Sequence, residues 1–435
     1  MQDLPAHSRL PFLCAAKMDA KTLLAEIDAD NAAHISFLQS FTQAPSPNPP
    51  GDTRAAANVI IDYLRSKNIE PEVIAPQPAM PNIVSDMVCG NPDGPRLTMN
   101  GHIDVFTVGD GKDWSRDPWS GDVESGRLHG RGTVDMKAGT AASIIAYSYL
   151  HKYKEYLKGS VGLCAVSDEE TGGKWGTKYL LDDPRWRGDC MINAEPGGIN
   201  TIRFGEKGTL RLTFEVRTEG AHGAYLHRSL GANRIAAKLI NDLLEIEDIV
   251  PSLPPGLEDY MKQPEVRRAV DEAMGKGAAD IVLKPTLNIG TIHGGLKVNM
   301  IPDLCIFEAD IRLPIGLKAS EVLDVIQGIL KAYPEASLKV QEAASNPSSS
   351  CDHEHPMVGI LARHAESILG KKPVAIPSLG ATDCKHYRYK GIPAYIFGVS
   401  PETMAAKDES VSIDEFIAVL KTHVLSAWEF LGGAL

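Results

Sequence analysis

Arg96-Leu97-Thr98-Met99-Asn100-Gly101-His102-Ile103-Asp104-Val105 is a short apolar run that stops in a glycine, a histidine and an aspartate. Runs of this kind, bounded by turn residues, read as buried strands. The plan recurs. Val161 to Val166 leads into Ser167-Asp168-Glu169-Glu170-Thr171-Gly172-Gly173, and Met191-Ile192 leads into Asn193-Ala194-Glu195-Pro196-Gly197-Gly198. Gly130-Arg131-Gly132-Thr133-Val134-Asp135-Met136-Lys137 is a glycine-rich turn opening a helix predicted from Ala138 to His151. Further helices are predicted from about Asp19 to Leu38, Thr53 to Lys67 and Gly176 to Leu181, and a strand from Asn82 to Val88. Strands alternating with helices make an α/β layer whose largely parallel sheet is buried on both faces.

The middle of the chain reads differently. Gly208 to Arg217 alternates as a strand, and Leu230 to about Ile249 is an amphipathic helix. Thr286 to Thr291 and Asp303 to Arg312 are strands, Ala319 to Ala332 a helix, and Ser337 to Gln341 a last strand. That β-α-β-β-α-β order is the split βαβ pattern of a ferredoxin-like unit. Pro251 to Ala278 reads as an irregular or partly helical insertion, and Asn346 to Ser350 as the exit linker. The α/β pattern then resumes: a helix from about Met357 to Leu369, strands near Val374 and from Pro393 to Phe397, and a helix from Ile413 to about Leu431. The predicted fold is a three-layer α/β catalytic domain with a mostly parallel central sheet, residues 1–208 and 346–435. A ferredoxin-like α+β lid, residues 209–345, interrupts it.

Composition excludes some partners. A formal net charge of −12 over 435 residues is unsuited to gripping nucleic acid or an anionic membrane surface. No apolar run approaches the roughly 20 residues that span a bilayer, and the stretch from Leu10 to Ala16, interrupted by Pro11, is a weak match to a secretory signal. The seven cysteines are scattered, with no Cys-x-x-Cys pair. That argues against a disulfide framework or a cysteine zinc site and fits a reducing, cytoplasmic compartment.

The acids and the histidine at the predicted strand ends are the candidate chemistry. Ligands of open α/β sheets bind beyond the carboxyl ends of the strands. Zinc takes imidazole nitrogen and carboxylate oxygen, and a catalytic zinc keeps a position open for water. Two metals about 3.5–4 Å apart need a bridging carboxylate, and their water needs a separate carboxylate as general base. The adjacent Glu169 and Glu170 can supply a base and a ligand, and Asp104 is placed to orient the His102 imidazole. Each piece alone is ordinary. A Gly-His-x-Asp tetrapeptide is commonly a loop, and acids often open helices. The signal is their occurrence in order at successive strand ends.

Taken together the motifs resemble the dinuclear-zinc amidohydrolases: the aminoacylases, acetylornithine deacetylase, succinyl-diaminopimelate desuccinylase and the glutamate carboxypeptidases. The resemblance runs through Gly101–Val105, Trp114-Ser115-Arg116-Asp117-Pro118-Trp119, Gly126–Lys137, Glu169-Glu170-Thr171-Gly172 and Glu195-Pro196. It implies that His102 and Glu195 bind one metal, Asp135 bridges, Glu170 binds the second, Glu169 is the general base and Asp104 holds His102. It further implies a homodimer joined through the lid, with His222 of Gly220-Ala221-His222-Gly223 reaching the partner's site to stabilise the oxyanion. Asn299 and Arg312 would face the substrate, Arg312 through its bidentate fork, and Gly380 would lie in the loop that cradles the substrate carboxylate. One or two zinc ions are expected, replaceable by cobalt or manganese, acting on an N-acyl amino acid or a small peptide bearing a carboxylate.

One position departs from the pattern. The resemblance calls for a histidine ligand four residues before Glu409, and Ala405 stands there. His386 could substitute, or less readily His353 or His355. Otherwise the enzyme carries a single metal, or the alanine was introduced. The departure leaves room for a relative that binds its ligand or forms an amide rather than hydrolysing one. An aminopeptidase of the same fold is a third reading.

Overall fold

A computed structural model of the chain describes residues 18–435, so the stretch 10–16 lies outside the described residues. A nine-stranded sheet runs Glu72–Ile74, Asn82–Val88, Lys158–Val166, Asn91–His102, Cys190–Asn193, Ala394–Ile396, Thr201–Glu206 and Ser349–Ser350, with Val374–Ser378 also paired to Thr201–Glu206. Its centre is parallel: Asn91–His102 lies between Lys158–Val166 and Cys190–Asn193, and Ala394–Ile396 follows. The flanking pairs are antiparallel, apart from Val374–Ser378. The central strands alternate between two buried faces, as sheet geometry dictates. Val161, Leu163 and Ala165 join the main core, while Cys164 and Val166 pack with Trp186 on the other side. Ala138–Lys152 and Ile413–Phe430 lie in the main core.

The predicted first helix is two, Ala20–Ala29 and Asn31–Thr42. They break at Asp30, whose carboxylate accepts a hydrogen bond from Tyr149 Oη at 2.8 Å. The lid is a second layer pair. Its sheet runs Thr286–Gly294, Leu304–Leu313, Gly208–Arg217 and Ala336–Val340, antiparallel throughout. This is the ferredoxin-like order. Leu304–Leu313 alternates strictly, burying Cys305, Phe307, Ala309, Ile311 and Leu313 under Ala232–Asp242 and Ala319–Leu330, with Phe307 stacked on Phe214 at 4.7 Å.

Two segments are more defined than their sequence reading. The insertion forms the helices Leu257–Lys262, Pro264–Met274 and Ala278–Ile281. Their apolar residues Leu257, Met261, Val266 and Val270 join the main core, not the lid's. The exit linker is not loose: Asn346 and Thr209 exchange backbone hydrogen bonds of 2.8 and 2.9 Å, and Ser349–Ser350 pairs with Gly205 and Glu206. Among the described residues no helix is long and apolar enough to cross a membrane.

One core group sets a pH dependence of stability. His423, fully buried on Ile413–Phe430, donates from Nε2 to the Phe397 carbonyl at 2.7 Å. Burial pushes its pKa from the ordinary 6.5 down to about 4. The unfolded chain therefore takes up this proton first, and stability present above pH 6.5 is lost as pH falls toward 4. The loss is on the order of 3 kcal/mol. Denaturant titrations at successive pH values should show a shallower acid slope for His423→Gln than for wild type. Equal slopes would remove His423 as a cause.

Candidate active site

His102 is the last residue of Asn91–His102. Glu169 and Glu170 follow Lys158–Val166, and Glu195 stands two residues past Cys190–Asn193. These three strands are neighbours and parallel, so their carboxyl ends open on one side of the sheet. Topology thus gathers side chains more than 90 positions apart in sequence. The turn Thr133–Lys137 brings Asp135 to the same edge. Only glycine fits at position 132, where φ is +79° and a Cβ would stand 2.2 Å from Val105 Cγ1.

His102 Nε2 lies 3.1 Å from Asp135 Oδ1 and 3.5 Å from Glu195 Oε1. Nδ1 stands 2.7 Å from the Asp104 carbonyl oxygen, which can only accept. Nδ1 therefore carries a proton, and Nε2 is the nitrogen that faces the carboxylates. The Asp104 carboxylate stands 3.6 Å from the same Nδ1 and has further work. It accepts the backbone N–H of Glu169 (3.2 Å) and of Glu170 (3.1 Å) and the Asn48 side-chain amide (2.9 Å). Asp168, in a left-handed conformation at φ +84°, makes the sharp turn that lets both glutamates reach inward.

Among the described residues two sets of three donors, each within 4.8 Å of one another, could hold a metal ion: His102, Glu169 and Glu195, and His102, Asp135 and Glu170. The electrostatics suit a divalent cation. Burial, and then the neighbouring Asp135, push the Glu170 carboxyl up to about 10. Burial pushes Glu169 up to about 8 and Glu195 well above the usual range. Burial opposes charge on His102, but Glu195 and Asp135 outweigh it and hold its pKa well above 6.5. Glu170 Oε1 is buried with no hydrogen-bond partner among the described residues. Like charges crowded out of water with a free oxygen among them form a donor set completed by a cation.

The other expected residues belong to neither donor set. His222 and Asn299 are exposed neighbours on the lid, with the Gly223 N–H donating to the Asn299 carbonyl at 2.8 Å. Arg312 is held by Asp310, its Nε and Nη2 each 3.1 Å from a carboxylate oxygen. Gly380 sits in an exposed loop where a Cβ would touch nothing within 4 Å. Ala405 is exposed, with φ +57°. His386 is buried against Asp383, Nε2 to Oδ1 3.9 Å, and belongs to neither donor set. His353 packs against Tyr260 at 4.1 Å, and His355 Nδ1 caps Pro356–Leu369 by accepting the Met357 N–H.

Several working residues escaped the sequence reading. Lys385 is buried with Nζ 3.9 Å from Glu169 Oε1. A one-way chain of hydrogen bonds runs beneath the site. Glu195 N–H donates to Asn193 Oδ1 (2.7 Å), Asn193 Nδ2 to Asn100 Oδ1 (3.1 Å), Asn100 Nδ2 to Thr177 Oγ1 (3.2 Å) and Thr177 Oγ1 to Asp383 Oδ2 (2.7 Å). Glu409 accepts from the turn that carries Asp135. Polar residues on strands, such as Asn100 and Asn193 where apolar ones are expected, were the available signal.

The family model described as peptidase family M20/M25/M40 matches residues 98–428. The probable succinyl-diaminopimelate desuccinylase of Staphylococcus epidermidis is 24% identical over 368 residues, spanning 83% of this chain and 89% of its own. Among solved structures, an M20 family metallo-carboxypeptidase from Sulfolobus solfataricus has a TM-score of 0.74 at 20% identity, covering 92% of this chain and 98% of that one. Human carnosine dipeptidase 1 has a TM-score of 0.71 at 17% identity, covering 95% and 98%. At these identities the structural likeness is one of fold.

Proposed function

The chain belongs to peptidase family M20/M25/M40 and is a metal-dependent amidohydrolase, and we propose that it cleaves the amide bond of an N-acyl amino acid or a small peptide carrying a carboxylate. The observation that carries this reading is the meeting of buried His102 and Glu195 with half-buried Asp135, Glu169 and Glu170, one Glu170 oxygen having no partner among the described residues. A relative named as a desuccinylase supports an acyl amino acid over a longer peptide.

His102, Asp135, Glu170 and Glu195 would hold one or two divalent ions, with zinc, cobalt or manganese suited to imidazole and carboxylate donors. When bound, such an ion polarises a carbonyl oxygen and acidifies water. Glu169 takes the proton of the attacking water on a carboxylate oxygen and delivers it to the leaving amine nitrogen. Asp104 orients both glutamates by accepting their backbone N–H groups. Lys385 holds an ammonium beside Glu169.

The lid roles belong to the same proposal. His222 would act on a partner's site in a homodimer formed through the lid, for which the exposed Leu296 and Val298 give apolar surface, and Asn299 would face the substrate. Arg312 would have to exchange Asp310 for a substrate carboxylate. A solution mass of one chain would end the dimer reading.

The test is metal removal and return. Chelated protein should lose turnover of a panel of N-acyl amino acids, N-succinyl compounds included, and dipeptides, and zinc, cobalt or manganese should restore it. No turnover on any member with any of the three ions overturns hydrolysis and favours a protein that binds or joins its ligands. Ala405 favours that second reading, because a methyl group gives the Asp135–Glu170 side no further ligand. Turnover that requires a free α-amine would instead identify an aminopeptidase.

A further inference from the structure

The loop that carries Ala405 is pinned at both ends of its work. At its base, Thr403 Oγ1 donates to the Ser410 carbonyl at 2.9 Å and accepts the Ser410 N–H at 3.0 Å. Beyond it, Ser410–Ser412 pairs antiparallel with Arg127–His129, the strand that leads into the turn of Asp135. Between these anchors the loop projects two acids. Asp408 accepts the Ser115 N–H at 2.8 Å. Glu409 is buried and spends its whole carboxylate on the turn.

Glu409 Oε1 accepts the backbone N–H of Val134 (2.8 Å) and of Asp135 (3.2 Å). Oε2 accepts the backbone N–H of Gly132 (3.1 Å) and Arg131 Nη1 (2.6 Å). Its own carbonyl accepts the Gly130 N–H at 2.8 Å. Three backbone donors of one irregular turn, those of Gly132, Val134 and Asp135, thus converge on one carboxylate, which takes the place of the partners a regular helix would give them. Arg131, the counter-ion, stacks on the Trp114 ring at 4.9 Å. A neutral side chain cannot do this. A glutamine at 409 offers one accepting oxygen, and its amide nitrogen would face N–H donors.

We infer that Glu409 is a positioning residue that sets the Asp135 carboxylate for metal binding by fixing the backbone of residues 131–135. The inference rests on the reading of Asp135 as a metal ligand. The loop contributes a brace to the metal site, through a residue four positions past an alanine that has no donor atom. Losing a partner one step removed from a ligand typically costs about 10–100-fold in metal affinity or activity, and misplacement by about 1 Å can cost 10²-fold.

The experiment compares full-length wild type with Glu409→Gln. Zinc affinity is read by competition with a chromophoric chelator, and the cobalt form by its visible absorption. Glu409→Gln should keep the wild-type circular dichroism, bind zinc about 10–100-fold more weakly, shift the cobalt bands, and lower kcat with KM little changed. Wild-type zinc affinity together with an unshifted cobalt spectrum in a folded Glu409→Gln overturns the inference. If that variant does not fold, the same two readouts are taken on Glu409→Asp. It keeps the charge but reaches fewer donors, and wild-type values there overturn the inference equally. A wild-type protein that binds none of the metal ions removes the reading of Asp135 itself, a different outcome from a variant that binds as well as wild type.

Discussion

Glu169→Ala should lower kcat by roughly 10²–10⁴-fold, the usual contribution of a positioned general base, and leave the metal content unchanged. The two glutamates are adjacent, yet their surroundings differ. Glu170 keeps an unpartnered buried oxygen, as a ligand without its cation would. Glu169 faces Lys385, whose ammonium stands 3.9 Å from its carboxylate. An ammonium beside a carboxylate favours its ionised form, which is the form that accepts a proton. Glu169 also falls within one of the two three-donor sets, with His102 and Glu195. It could therefore ligate instead. The two roles separate cleanly in measurement. Loss of bound zinc on equilibrium dialysis of Glu169→Ala makes Glu169 a ligand, while retained turnover with retained zinc ends its assignment as the base.

The parallel core was legible because its strands are short apolar runs that stop at glycine and acid. Leu97–Asn100 and Val161–Val166 give their elements and their turn chemistry in the same few residues. The ferredoxin-like lid was legible for the same local reason, since alternation along Leu304–Leu313 needs no knowledge of its neighbours. What failed was non-local. Asp30, where the first helix breaks, is held by Tyr149, more than 100 positions away. The insertion's apolar residues could cover either core, and only three-dimensional proximity assigns Leu257 and Val270 to the larger one. At the site, the candidate donors were readable, because an imidazole and four carboxylates recur in order beside successive strand ends. The supporting bonds were not. Asp104 stands two residues from His102, which suggests a side-chain contact. The carboxylate does stand 3.6 Å from Nδ1, but the nearer partner is the backbone carbonyl at 2.7 Å, and the carboxylate also accepts from the glutamate turn, which the spacing does not announce. Glu409 reaches Val134 across 275 positions, a pairing no local pattern announces.

His102→Ala should abolish activity at limiting metal and weaken metal binding by more than the roughly 10–100-fold typical of an outer partner. His102 is the one nitrogen donor of both three-donor sets. Without it, each set reduces to two carboxylates, which repel each other in a buried setting and take up a proton more readily than a cation. Asp104→Asn is the informative contrast. That variant retains the backbone carbonyl that receives the Nδ1 proton at 2.7 Å. It converts one of the two oxygens facing Glu169 N–H, Glu170 N–H and Asn48 into a donor. The damage should then fall on the glutamate turn. Zinc affinity is expected to decline far less than in His102→Ala, while kcat falls because Glu169 no longer points at its proton. Dialysis against graded free zinc, with metal content measured by emission spectroscopy, reads both variants on one scale. If Asp104→Asn sheds zinc as completely as His102→Ala, the carboxylate rather than the carbonyl orients the imidazole, and the division of labour at Asp104 is wrong.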